Sequence, residues 1–167
     1  METEKYIIVN EKDEPIGNKE LEEITPNDIY RVSALWIENS KGEVLLARRS
    51  LNKKNDPGKW GPAVAGTVEV GEDYESNIYK EAEEEIGLKS KKFQKFRKVR
   101  NHGKHNYFCQ WYYLQIDKPI DYFKIQEEEV EEIAWFPKDE LEKEFKNNPE
   151  KFLISFGKNL EYFKDLK

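Results

Sequence analysis

One cysteine, one methionine and two histidines are all that this 167-residue chain holds of the side chains most used for thiol chemistry and soft-metal ligation. A lone Cys109 excludes an intrachain disulfide and a cysteine-built zinc site, and reads as buried filler among its aromatic neighbours. His102 and His105 share one turn-like stretch, and no third histidine completes an imidazole metal site. No apolar run approaches the ~18 residues that a membrane span needs. METEKYIIVN has neither the basic lead nor the apolar stretch of a signal peptide, so a cytoplasmic chain with no membrane partner is expected. Apolar residues are scarce at 37%, matched by 37% charged residues. Disorder does not follow, because 9 Tyr, 9 Phe and 4 Trp bring large apolar area in few side chains. The net charge of −6 argues against a stable nucleic-acid partner but leaves small phosphorylated molecules open, since local charge governs their capture.

What is abundant is acid, and the most informative of it lies in GTVEVGEDYESNIYKEAEEEIGL, residues 66–88. Glu81, Glu84 and Glu85 fall at i, i+3 and i+4, so on a helix their carboxylates share one face. Ile78, Tyr79, Ala82 and Ile86 crowd the adjoining arc, giving the helix a side to bury, and Gly87 is placed to end it. Like charges at this spacing repel by roughly 0.2–0.5 kcal/mol per pair on a solvated helix. A hard divalent cation relieves that repulsion, and magnesium is commonly held by one or two carboxylates while phosphates fill other positions. An ordinary solvated acidic face is the alternative.

The spacing of Gly66, Glu72, Lys80-Glu81, Glu84-Glu85 and Gly87 resembles the signature box of the Nudix hydrolases. Every fixed position fits but one, where Lys80 stands in place of arginine and lacks its planar fork. The resemblance implies an α+β chain with the Nudix fold, an α/β/α sandwich around a mixed curved sheet, with residues 1–167 forming one domain. It also implies Mg²⁺ or Mn²⁺ held by Glu81, Glu84, Glu85 and the backbone carbonyl of Ala65. In the same reading Glu81 and Glu85 serve catalysis, and Gly66, Glu72 and Lys80 support the loop and helix.

Elsewhere, residues 5–9, 30–38 and 43–49 read as strands, the last two as a hairpin around Asn39-Ser40-Lys41-Gly42. Residues 18–27 show no period. Arg48 and Arg49 alternate in facing, and the resemblance gives the second a phosphate contact, with a plain surface arginine as the alternative. Residues 50–61 form a loop whose Lys53, Lys54 and Lys59 could lie over a polyphosphate, while Trp60 could stack a base or anchor the loop. A second hairpin is expected over residues 91–100 and 106–116. A strand over 130–136 follows the loop 117–129, from which such enzymes often take a catalytic base; Glu128 is the nominee, beside Glu127 and Glu129. A helix opens at Pro137, and a final one is expected over about 149–166, its Phe152, Phe156, Leu160 and Phe163 making a stripe for the core or for a homodimer.

VNEKDEPIG, GEVLLARRS and DPGKW extend the similarity to the subgroup related to type I isopentenyl-diphosphate isomerase. That isomerase uses a cysteine in a Cys-Gly-His triplet, and here the triplet aligns with Ala65-Gly66-Thr67. The expected activity is therefore cleavage of a diphosphate linkage in a nucleoside diphosphate derivative or similar metabolite. A metabolite-binding domain without hydrolysis and an isomerase-like enzyme are the alternatives.

Overall fold

The computed structural model describes residues 3–89 and 91–166. Everything is assembled on β3 (Ile29–Glu38). Along one edge it pairs in parallel, from Tyr30↔Tyr107 to Glu38↔Gln115, with β8 (Tyr107–Gln115), which carries β7 (Gln94–Asn101) as its hairpin partner. The other edge is shared by three antiparallel partners in turn: β1 (Lys5–Val9) at Ile29 and Tyr30, β6 (Val64–Thr67) at Val32 to Leu35, and β4 (Glu43–Arg49) at Ile37 and Glu38. β2 (Pro15–Glu20) borders β1, while β5 (Trp60–Pro62) and β9 (Val130–Pro137) flank β4. The sheet is mixed and covered on both faces, as expected.

Alternation along β3 splits the core. Leu35 and Ile37 pack with Leu45 under α1 (Tyr74–Ile86), whose Ile78, Ala82 and Ile86 are wholly buried. Ala34 and Trp36 face the other way, against α2 (Lys138–Asn147) and α3 (Phe156–Phe163). There the Trp36 and Phe163 rings stack at 4.5 Å and 3°. Two apolar sides on every central strand are what a sheet buried on both faces requires.

Two expectations need correction, and one, the β3–β4 hairpin, holds with a shorter ladder. Residues 15–20 are a strand, although Gly17, Asn18 and Lys19 give them little β propensity; pairing with β1 makes it. The β3–β4 hairpin is paired at only two positions, beyond which β6 takes over the β3 edge. The final helix is broken: residues 149–151 form a 3₁₀ turn, and Leu153 donates its amide to the Trp60 carbonyl at 2.9 Å, so the chain runs beside β5 before α3 begins. Its aromatic stripe is core, with Phe156 and Phe163 buried. Among the described residues no helix is long and apolar enough to cross a membrane.

Candidate active site

α1 is capped at both ends by its own sequence. The Asp73 carboxylate accepts from the Ser76 amide at 2.7 Å while the Ser76 hydroxyl accepts from the Asp73 amide, and Gly87 adopts φ 66°, a left-handed turn that glycine enters freely. The carbonyls orphaned at the C-terminus are met by another segment: Lys124 donates to Ile86 at 3.0 Å and Gln126 to Glu85 at 2.9 Å. Closing the helix end thus docks the 117–129 loop beside Glu85. The same loop is tied to the lysine loop by the Ser50 amide, which donates to the Glu129 carbonyl at 3.0 Å, and by a Lys53–Glu129 ion pair at 2.5 Å.

At the base of α1 a polar chain fixes the helix on the sheet. The buried Ser33 hydroxyl donates to Asn77, and Asn77 donates to Glu72 at 2.7 Å and to the Thr67 carbonyl at 3.2 Å. Lys80 then bridges Glu72 at 2.5 Å and Glu69 at 2.9 Å, with Glu81 at 3.7 Å. Burial works against the Lys80 charge, but Glu72 and Glu69 outweigh it and raise its pKa. Glu72 and Lys80 thus link the loop before the helix to its first turns.

Glu81 is folded against Gly66, where a Cβ would lie 2.7 Å from the Glu81 Cδ. Its carboxyl lies within hydrogen-bonding reach of Glu85. Burial raises the pKa of both, and for Glu85 the neighbouring Glu81 and Glu129 charges add to it, against the weaker pull of Lys53. Two half-buried carboxyls this close resist carrying two charges at once. Glu84 is exposed, and its charge adds to the rise at Glu81. Among the described residues no three His, Cys, Asp or Glu side chains converge to hold a metal as they stand. What converges is a pair of hard oxygen donors with the edge strand β6 beside it, and this donor set suits a hard divalent cation, which relieves their repulsion.

The other expected site residues lie at varying distance from this pair. Ala65 is exposed on β6, immediately before Gly66. The Arg49 Nε donates to the Asn55 carbonyl at 3.0 Å, and a register shift after Arg48 interrupts the alternation of β4. Lys59 donates to the Glu150 carbonyl, and Trp60 packs edge-on against Phe136 at 5.0 Å. Lys59 thus ties the start of β5 to the C-terminal segment and Trp60 ties β5 to β9, so anchoring, not substrate contact, is their visible work. Glu128 is exposed, whereas Glu129 is the loop acid whose charge reaches Glu85. The sequence offers no signal separating these two. Their place is set by the loop's hydrogen bonds to α1.

Residues 29–156 match the family described as NUDIX domain. The chain belongs to the Nudix family. It is 31% identical over 141 residues to an uncharacterised Nudix hydrolase of Pseudomonas aeruginosa, covering 80% of this chain and 78% of that protein. It is 32% identical over 90 residues to an isopentenyl-diphosphate Delta-isomerase of Escherichia coli, covering 53% of this chain and 50% of the isomerase. The solved structure of DR0079 from Deinococcus radiodurans superposes with a TM-score of 0.80 at 21% identity, over 94% of this chain and 97% of that one. The NUDIX domain of Shewanella oneidensis NrtR, solved with ADP ribose, gives 0.66 at 15% identity, over 87% and 94%. The chain is thus a Nudix-type pyrophosphohydrolase, and hydrolases of this family generally use divalent metals and small phosphorylated substrates.

Proposed function

We propose that this Nudix enzyme, with residues 1–167 acting as one domain, hydrolyses a diphosphate linkage in a nucleoside diphosphate derivative or similar metabolite, using Mg²⁺ or Mn²⁺. The observation that carries this is the Glu81–Glu85 carboxyl pair, with Glu81 pressed against Gly66 and Glu85 within reach of the Glu129 charge. Glu81 and Glu85 would hold the cation, with the Ala65 carbonyl as a further donor and Glu84 adding charge from the exposed face. Bound there, the ion supplies neutralisation of phosphate charge and a lowered pKa for water.

The remaining work falls to the chain. Lys80, fixed by Glu72 and Glu69, holds the strand-to-helix turn so that Glu81 keeps its place over Gly66. Glu129 is proposed as the base that takes the water proton, with Lys53 paired to it to fix its position. Arg49 and the lysines of the 50–61 loop supply positive charge for the departing phosphate. Isomerase chemistry is not proposed, because Ala65 offers no thiol at the position where that enzyme has its cysteine.

The test is a panel of nucleotide sugars, dinucleotides, nucleoside triphosphates and prenyl diphosphates with Mg²⁺ or Mn²⁺, scored by phosphate release after phosphatase coupling. Turnover should vanish with EDTA, return with either ion, and be lost in Glu85→Gln while circular dichroism stays unchanged. Full turnover in Glu85→Gln would refute the assignment.

A further inference from the structure

Resting on the metal-dependent hydrolase reading, we infer that Asn77 is a positioning residue for the Glu81 site: with Lys80 it makes a two-point grip on the Glu72 carboxylate, each side chain holding one oxygen. The Lys80 Nζ lies 2.5 Å from Glu72 Oε1, and the Asn77 Nδ2 donates to Glu72 Oε2 at 2.7 Å. An ammonium is a point charge, and Glu69 claims it as well at 2.9 Å, so Lys80 leaves the second oxygen of Glu72 to Asn77. A planar guanidinium at residue 80 could cover both oxygens unaided.

Packing alone does not ask for an amide at this place. Asn77 is wholly buried on α1, and the other buried residues of that helix, Ile78, Ala82 and Ile86, are apolar. The amide is also held one way round. Ser33, equally buried on β3, donates its hydroxyl to the Asn77 carbonyl oxygen, so the nitrogen is the end turned to Glu72 and to the Thr67 carbonyl, 3.2 Å away. Both amide hydrogens and the carbonyl oxygen are thereby paired, as burial of the group requires. Its two acceptors bracket one turn. Thr67 follows Gly66, against which Glu81 folds, and the Glu72 amide closes the turn on the Glu69 carbonyl at 3.0 Å. Asn77 therefore fixes both ends of residues 67–72, and with them the ground on which Glu81 rests.

A double-mutant cycle with two readouts, neither needing turnover, tests this. Hydrogen exchange of the Glu72 amide, followed by NMR in the metal-free protein, reports the turn, and Mn²⁺ titration followed by electron paramagnetic resonance reports the site. Asn77→Ala should speed that exchange and weaken Mn²⁺ binding, each by about tenfold, the low end of what losing an outer-shell partner costs a metal site. In the Lys80→Arg protein, where the fork takes the freed oxygen, the same substitution should change either by less than about twofold. The urea midpoint should fall by similar amounts in both backgrounds, because the Ser33 and Thr67 partners are lost in each, and this separates positioning from packing. If Asn77→Ala does not fold, Ser33→Ala, which removes one hydroxyl and leaves the amide in place, should show the same pattern on a smaller scale. Equal losses in the two backgrounds, or no loss in a folded variant, would overturn the inference, and in a chain that takes up no Mn²⁺ the exchange rates alone decide. The full pattern in a protein that cleaves no diphosphate would instead sink the hydrolase reading and leave the Asn77–Lys80 grip standing.

Discussion

Gly66 and Glu81 occupy one space between them: a Cβ on residue 66 would lie 2.7 Å from the Glu81 Cδ and 3.0 Å from its Oε1. The absence of a side chain on β6 is thus what lets the Glu81 carboxyl fold down toward Glu85. Gly66→Ala should push Glu81 off the strand. Because a glutamate side chain can swing where a backbone cannot, the cost should fall on chemistry more than on folding. We expect a melting temperature within a few degrees of wild type and metal-dependent turnover lowered at least tenfold. Wild-type turnover in this variant would show that the position of Glu81 is not critical.

Lys80 stands where the family has arginine, and it satisfies two acids at once, Glu72 at 2.5 Å and Glu69 at 2.9 Å. Lys80→Met removes both partners. With its side chain 34% exposed, water screens part of the loss, so a destabilisation of about 1 kcal/mol is expected. Activity should fall more steeply, through the loosened turn before α1. Lys80→Arg should retain or raise activity, since the guanidinium can hold Glu72 at two points. The check is urea unfolding paired with initial rates for the three proteins.

The box was legible because its information is local: helix-period acids, an apolar arc, and a glycine whose left-handed φ of 66° ends the helix. The strands at 5–9, 43–49 and 107–115 were legible for the same reason, through β-branched and aromatic residues. Parallel pairing of β3 with β8 was not, since it joins Tyr30 to Tyr107 across nearly half of the chain and leaves no local trace. The split of the acid trio was not legible either. Helical spacing puts Glu84 on the same face as Glu81 and Glu85, but only the tertiary approach of Gly66 and of the loop bearing Glu129 shelters two of the three. The break at residues 152–155 followed the demand of the Trp60 carbonyl for a donor, again a contact distant in sequence.

Asp13 joins four elements of the fold, accepting from Lys98 at 2.6 Å, Arg31 at 2.8 Å and the Tyr74 hydroxyl at 2.9 Å. Burial alone would raise its pKa, but the hydrogen bonds from Lys98, Arg31 and Tyr74 prevail and hold it below the usual carboxylate value. A carboxyl lowered in the folded state stabilises fully above its unfolded pKa of about 3.9, and that contribution is lost as pH falls through the folded value. Asp13→Asn suits the positive φ of 60° at this turn, so the change is confined to charge. The variant should be less stable than wild type at pH 7, with the gap closing as pH drops below about 4. Urea midpoints of both proteins at pH 7 and at pH 3 would show it; a gap of constant size would not fit.

Glu128 and Glu129 are adjacent in sequence, but they are placed differently. Glu129 forms an ion pair with Lys53 and its charge is felt at Glu85, while Glu128 is exposed. If the base is the carboxylate that can face water held near Glu81 and Glu85, then Glu129→Gln should lower kcat by about a hundredfold or more, the scale of a lost general base. Glu128→Gln should leave kcat within about twofold, as a change at an exposed residue does. Lys53→Ala separates proton transfer from mere loop anchoring. It breaks the ion pair but leaves the Ser50 amide on the Glu129 carbonyl, so it should cost far less than Glu129→Gln. Equal losses in Glu129→Gln and Lys53→Ala would make the pair a strap holding the loop, and equal losses in Glu128→Gln and Glu129→Gln would deny Glu129 any special place.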